Sequence, residues 1–366
     1  MQIIDSQNKL DDFMLNIRSQ SILGIDTEFV RERTYWPDLC LVQIATKNEE
    51  FIIDIKSDID LSKFWRVLQD KSILKIIHSC KQDIEAIYFK SGIIPSPIFD
   101  TQIAAMFCDF TDSISYAQLV EKILHIKLDK DLQYSDWSKR PLDIKKYHYA
   151  INDVKYLIDI YNHIEKKLHS CKKASWLDEE MLILSTPLSV MNKNYPKSKK
   201  QLLKKEFHNE DILDNLKEFR ENIAILNNLP RKRLLTDSNI AKIVEQRPKD
   251  IKTLNNILNE RENILEPDYT SKILKIISKN TLQDNKLKKR FNTKLSKKQK
   301  IKLNELNKLL KTISQEHQIC SRLIANQSGL KRLVCDDYEN SKFLKGWRYD
   351  IFGRKAFNIV QEIANK

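Results

Sequence analysis

The stretch ILGIDTEFVRERTYWPDLCLVQIATKNEEFIIDI, residues 22–55, decides the architecture. Within it, residues 22–26, 39–46 and 51–55 are short apolar or alternating runs rich in Ile and Val, the pattern of strands. Their quick succession predicts antiparallel neighbours. At the end of the first run Asp26 and Glu28 stand two residues apart, and the period of two places both carboxylates on one face. Such a pair repels itself unless a cation lies between the two acids, and magnesium or manganese prefers carboxylate oxygens and water. Most Asp-x-Glu pairs are solvated surface acids, so this one gains meaning only from its company.

Working outward, the pattern predicts a helix at about 61–69, a strand at 74–77, a helix at about 82–89, helical segments at 101–108 and 115–124, and a last helix from about Asp143 to Leu168. A meander followed by alternating strands and helices gives a mixed sheet flanked by helices, an α/β layer architecture. From about Lys193 strand-like runs cease and apolar residues recur at three and four. Ile212, Leu213, Leu216, Phe219, Ile223 and Ala224 form one such stripe, and Ile301, Leu306, Leu309, Leu310 and Ile313 another. Pro230, Pro248 and Pro267 punctuate the first set, and the lysine-dense stretch Lys286 to Lys302 reads as a connector between two helical bundles. The expected division is 1–192, 205–285 and 290–366.

A chain of 366 residues has room for two or three domains, and with 41% apolar and 31% charged residues it is not compositionally disordered. The amino terminus, MQIIDSQNKLDDF, lacks an apolar run long enough for a signal peptide or membrane span, so cytoplasmic residence and no membrane partner are expected. Six scattered cysteines without a C-x-x-C pair speak against a zinc site or a disulfide framework and for buried free thiols. The five glycines match neither a Walker loop nor a dinucleotide fingerprint, which argues against nucleotide-driven motors and Rossmann dehydrogenases. Charge is uneven: residues 1–190 carry 24 Lys and Arg against 29 Asp and Glu, net −5, whereas residues 191–366 carry 39 against 21, net +18. A basic half suits a polyanionic partner and an acidic half a cation, although a lysine-rich solvated surface has the same composition.

Two further elements carry carboxylates. In HSCKQDIEAIYF a strand delivers His78 and Ser79 and the next helix begins near Asp83, where an acid also suits the positive end of the helix dipole. In YAINDV, Tyr149 and Asp153 are four apart and share a helix face. Asp-x-Glu on a first strand, an Asp after a later strand and Tyr-x-x-x-Asp on a later helix, in this order, resemble the DEDD exonuclease superfamily in its tyrosine-containing branch. DTEFVRERTYWPDLCLVQIA (26–45), DWSKRPL (136–142) and YAINDVKYL (149–157) resemble the ribonuclease D family more closely.

That resemblance implies a ribonuclease H-like exonuclease domain, metal-binding acids at Asp26, Glu28, Asp83 and Asp153, a catalytic Tyr149, and two divalent cations, Mg2+ or Mn2+. It also implies a 3′ to 5′ exoribonuclease that releases 5′-mononucleotides. Its partner would be RNA with a free 3′ end, transfer RNA precursors first, while protein partners are unknown. A phenol with an ordinary pKa near 10 is a poor base at neutral pH, so Tyr149 is expected to position water first and transfer protons second. Thr27, Phe29, His78, Trp137 and Arg140 are the candidate substrate contacts around the acids. Phe29 has a core position as its alternative, His78 a buried polar network, and the Trp137–Arg140 loop a structural role.

FRENIAILNNLPRKRLLTD (219–237), with Arg220, Pro230 and Asp237, resembles the HRDC module, and the terminal GWRYDIFG (346–353) resembles the corresponding end of ribonuclease D. Two all-α HRDC-type bundles are therefore expected after the nuclease, the second diverged. Arg231, Arg233 and the Lys286–Lys302 stretch are the candidate phosphate contacts, with a solvated helix surface as the alternative. The competing readings are a DNA 3′ to 5′ exonuclease of the same superfamily and a non-catalytic RNA-binding protein.

Overall fold

The computed structural model describes residues 1–128, 135–186, 198–207, 212–258, 266–280, 295–335 and 341–362. Six strands, β1 (Gln2–Ile4), β2 (Ile22–Val30), β3 (Asp38–Ala45), β4 (Glu50–Asp54), β5 (Leu74–Ile77) and β6 (Ile98–Asp100), form one sheet in the order β1-β4-β3-β2-β5-β6. β3 and β4 are antiparallel, while β1 with β4, β2 with β5 and β5 with β6 are parallel, so the sheet is mixed as expected. In β3 every residue after Asp38 is buried, which explains its near-continuous apolar run: helices cover both faces.

The helices of this part are α1 (Gln7–Ile17), α2 (Ser62–Gln69), α3 (Lys81–Ser91), α4 (Thr101–Met106), α5 (Tyr116–Leu124), α6 (Ile144–Lys155), α7 (Leu157–Ser170) and α8 (Ala174–Leu184). Residues of α1, α2 and α3 form one apolar layer with Leu23, Ile25, Val42 and Ile53 of the sheet. The other layer joins Cys40, Leu41 and Ile52 to residues of α4 through α8. The expected helix from Asp143 to Leu168 is two helices. The backbone turns at Tyr156 (φ −107°), where the amide N–H donates to the Tyr116 hydroxyl at 3.1 Å. β1, β6 and the helices α1 and α8 went unforeseen, and the two strands, three residues each, are too short to show a period.

By contacts the chain divides into two compact units, one of Met1–Val30, Leu39–Met191 and Leu295–Lys366, the other of Arg31–Asp38 and Asn192–Lys294. In the first unit the carboxy-terminal helices complete the core of the α/β part, because Leu306, Leu310, Ile313, Trp347 and Phe352 lie in one apolar cluster with Phe107, Leu157 and Ile164. The indole of Trp347 stacks on Trp176 of α8 at 5.0 Å between centroids and donates to Glu180 at 3.1 Å. Buried Lys173 reaches the carbonyls of Phe107 at 3.0 Å and Gln318 at 3.2 Å, where helix ends welcome a cation.

From residue 198 on, the elements described in the second unit are helices, and they centre on Leu216, Phe219, Ile223, Ile243 and Ile273. Arg220 donates to Asp237 at 2.7 Å and to the Leu235 carbonyl at 3.0 Å, joining two of the residues singled out in its sequence. The segment Arg31–Asp38, which links β2 to β3, belongs here. Its Tyr35 bonds Glu221 and lies under the Arg231 guanidinium at 4.9 Å, and the Trp36 amide donates to Asn228 at 3.0 Å.

Two expectations for the helical half need correction. Ile301 is 55% exposed and Lys302 is buried, so the apolar stripe of the helix Lys297–His317 starts one turn later. Residues 297–302 are its first turns, opened by a Ser296–Gln299 capping box, rather than a connector. The rest of the Lys286–Lys302 stretch, 286–294, lies outside the described residues.

Candidate active site

β2 is paired with β5 only as far as Gly24 and Ile76, so its last residues continue beyond the end of its neighbour. Asp26 and Glu28 lie there, on the face Gly24 shares, at the carboxyl ends of the parallel strands where α/β sheets place their sites. α6 crosses this face and delivers Asp153. Gly24 lets it approach: a Cβ at that position would stand 3.3 Å from the Val154 carbonyl and 3.2 Å from the Leu157 Cβ. The result is a group in which carboxylate oxygens of Asp26, Glu28 and Asp153 all lie within 4.8 Å of one another.

Asp83 arrives from the opposite layer. It sits in the first turn of α3, buried, and accepts a 2.5 Å hydrogen bond from Thr27, which points away from Asp26 and Glu28 along β2. The turn that aims α3 is held by Asp100, whose carboxylate accepts from the amides of Ser79 (3.2 Å) and Cys80 (2.9 Å) while capping α4 through those of Gln102 and Ile103. Asp83 stands outside the 4.8 Å group but acts on it electrostatically. Burial, followed by the charges of Asp83, Asp153 and Glu28, pushes Asp26 well above the usual carboxylate range. Burial and the charges of Asp153 and Asp83 take Glu28 to about 9, burial and Asp83 take Asp153 to about 7, and burial takes Asp83 to about 6 despite the Thr27 bond. Left to itself, Glu28 keeps its proton at neutral pH and Asp153 titrates there. A hard divalent cation is the partner that allows them all to ionise, so the donor set fits magnesium or manganese.

The remaining candidates separate by what they touch. Tyr149 stands one helical turn before Asp153, half-buried, its ring 6.3 Å from that of Trp137. Trp137 is 2% exposed, a core residue that backs Tyr149 rather than an open rim. Arg140 is fully engaged. Its Nε and Nη2 each donate to Asp54 at 2.6 Å, and its guanidinium also reaches the carbonyls of Trp137 (2.7 Å), Lys139 (2.7 Å) and Cys40 (3.3 Å), which fastens the loop to the sheet. His78 has both ring nitrogens occupied, Nδ1 by Thr101 at 2.9 Å and Nε2 by the Ile114 carbonyl at 3.1 Å. Burial pushes its pKa down, consistent with the buried-network alternative. Phe29 packs against the α1–α3 layer. In the helical unit Arg231 is held by Glu221 and Tyr35, while Arg233 is exposed and in no ion pair among the described residues.

Sequence reading passed over Gly24 and Asp100. Gly24 left a signal, since a glycine inside a strand marks close backbone approach. Asp100 showed only its place as a cap before the helix at 101, because the amides of Ser79 and Cys80 reach it only in the fold.

The 3′-5′ exonuclease family matches the chain over residues 1–169 and the HRDC domain family over residues 209–277. A mixed sheet with clustered acids at its strand ends, followed by an HRDC domain and a helical carboxy-terminal region, defines a 3′ to 5′ exonuclease of the ribonuclease H-like class. The ribonuclease D of Bartonella henselae is 34% identical over 99% of this chain and 90% of its own length, and that of Sphingobium indicum is 35% identical over 98% and 94%. The chain belongs to the ribonuclease D family and is thus a hydrolase, a 3′ to 5′ exoribonuclease that depends on divalent metal. The crystal structure of Escherichia coli RNase D, described as an exoribonuclease involved in structured RNA processing, superposes with a TM-score of 0.78 at 22% identity, covering 99% of this chain and 98% of that one, and so shares its fold. Among the described residues no helix is long and apolar enough to cross a membrane.

Proposed function

We propose that this chain trims the 3′ ends of transfer RNA precursors in the cytoplasm, releasing 5′-mononucleotides one at a time, with Asp26, Glu28, Asp83 and Asp153 holding two divalent cations and Tyr149 serving as the catalytic tyrosine. The observation that carries this reading is the meeting of Asp26, Glu28 and Asp153 within 4.8 Å, reinforced by the charge of Asp83. The cations supply Lewis-acid stabilisation of the charge that develops on the attacking and leaving oxygens. The chain's own residues do the rest. The four carboxylates set where a phosphate can approach, and without cations they repel it. Tyr149, on the Asp153 face of α6 and backed by Trp137, orients the attacking water. Thr27 acts through Asp83, holding that carboxylate, rather than through substrate.

The proposed division of the chain is a nuclease domain over 1–192, an HRDC domain over 205–285 and a diverged HRDC-like region over 290–366. Of the two arginines, Arg233 is in no ion pair among the described residues, whereas Arg231 would have to leave Glu221 and Tyr35 to serve. Incubating the purified chain with a 3′-extended transfer RNA, a matched DNA strand, and each with magnesium, manganese or chelator, tests the reading. A ladder shortening from the 3′ end of RNA, absent in chelator, is expected. Cleavage inside the RNA, equal shortening of DNA, or full activity in chelator would overturn it.

A further inference from the structure

The first unit holds a second concavity of about 410 Å3, lined by α8, the loop at Asp112 and the helices that follow residue 320, and none of the four acids borders it. Two of its cations are already committed. Buried Arg348 clamps Glu180 with both terminal nitrogens and donates Nε to the Leu323 carbonyl at 2.6 Å, and Arg322 donates to Asp112 at 3.1 Å. Those pairs cancel the two acids among the described lining residues. Arg332 and Lys342 are exposed and in no ion pair among the described residues, which leaves the described lining cationic.

Its neutral groups point the same way. Ser341 is 3% exposed and its hydroxyl has no hydrogen-bond partner among the described residues, a costly condition unless something supplies one. Asn326 commits its side-chain oxygen to the Gly329 amide at 2.7 Å, so its amide nitrogen is left to donate. Guanidinium, ammonium, hydroxyl and amide are all donors here. Their complement is an anion with several acceptor oxygens, which describes a phosphate.

We propose that this concavity is a second RNA contact, seating a backbone phosphodiester other than the one being cut. This rests on the exoribonuclease reading, whose substrate brings such phosphates along its whole length. Arg332 and Lys342 neutralise the phosphate, and Ser341 and Asn326 fix its oxygens. The contact sets affinity and register without reading sequence.

The test is equilibrium binding of a labelled single-stranded RNA to the full chain in chelator, where no cleavage occurs, over a series of salt concentrations. For Arg332→Ala/Lys342→Ala the affinity is expected to fall five- to tenfold and the log–log salt slope to become shallower by about 0.7, the contribution of one single-strand phosphate. Lys122→Ala/Lys166→Ala removes the same charge elsewhere and serves as control; equal losses in both double variants would reduce the effect to net charge and overturn the proposal. Ser341→Ala is expected to weaken RNA several-fold without lowering Tm, whereas unchanged affinity with a raised Tm would make the serine merely structural. Inorganic phosphate is expected to compete with RNA on the wild-type chain; phosphate that binds without displacing RNA would reassign the concavity to a free phosphate compound. The exoribonuclease reading fails separately, if wild-type protein with magnesium leaves RNA ends intact.

Discussion

Glu28 ionises near 4.5 in an unfolded chain but is held at about 9 here, with Asp153 at about 7 and Asp83 at about 6. Between the two sets of values the folded protein binds more protons than the unfolded one, so stability falls as pH rises. In chelator, Tm is therefore expected to drop steadily from about pH 5 to pH 9, and added magnesium should restore it most at the alkaline end; melts with and without metal across that range check this. A flat profile would mean the acids do not share a buried site. Asp26→Asn or Asp153→Asn should lower hydrolysis more than about 100-fold while RNA binding in chelator persists, and each should melt above wild type in chelator at pH 8, because one acid that is costly to bury among its neighbours is gone. Product assays and melts on the same preparations decide. These acids were legible in sequence because their order and spacing are written along the chain. Arg140 and His78 were not, since the groups that occupy them, Asp54 for one and Thr101 with Ile114 for the other, become neighbours only after folding.

At the scale of elements, the separation of α6 from β2 is set by a missing side chain. In Gly24→Ala the new methyl meets a backbone carbonyl at 3.3 Å and a Leu157 Cβ at 3.2 Å, neither able to swing aside, so α6 must yield by a few tenths of an ångström. Asp153 rides on that helix. The magnesium concentration for half-maximal activity is expected to rise several-fold, with destabilisation of about 1–3 kcal/mol from overpacking; a metal titration beside a denaturant melt separates the two effects, and an unchanged metal requirement would show that α6 is not set by this contact. Sequence periodicity located β2 to β5 and α2 to α5 well, because each has a full turn or pleat of buried pattern. It read α6 and α7 as one helix, since the break at Tyr156 depends on the hydroxyl of Tyr116, forty residues away along the chain.

Across the whole molecule, the sequence change near Lys193 marks a shift in composition, and the apolar cluster of the α/β part takes in residues beyond it. Leu306, Leu310, Trp347 and Phe352 pack with the α/β layers, so a fragment ending at residue 204 should lose cooperative unfolding and expose apolar surface, measurable by circular dichroism melts and dye binding. A fragment as stable as the full chain would contradict the shared core. Lys173→Met offers a gentler probe: it strands the buried carbonyl of Phe107 and the part-buried one of Gln318, and is expected to cost about 1–3 kcal/mol in chemical denaturation. The charge asymmetry, net −5 before residue 191 and +18 after it, was plain from composition, but charge alone did not reveal which cations are already paired.

Because the last helices finish a core begun by the first strands, order of manufacture matters. A ribosome that has delivered α8 must add more than a hundred further residues before Leu306 emerges, which at about 5–20 residues per second takes on the order of ten seconds. During that interval the sheet and its acids exist without their full apolar backing, a nascent nuclease with greasy surface showing. A chain that ends between α8 and Leu306 would keep that apolar face uncovered, which makes it an unstable species open to proteases.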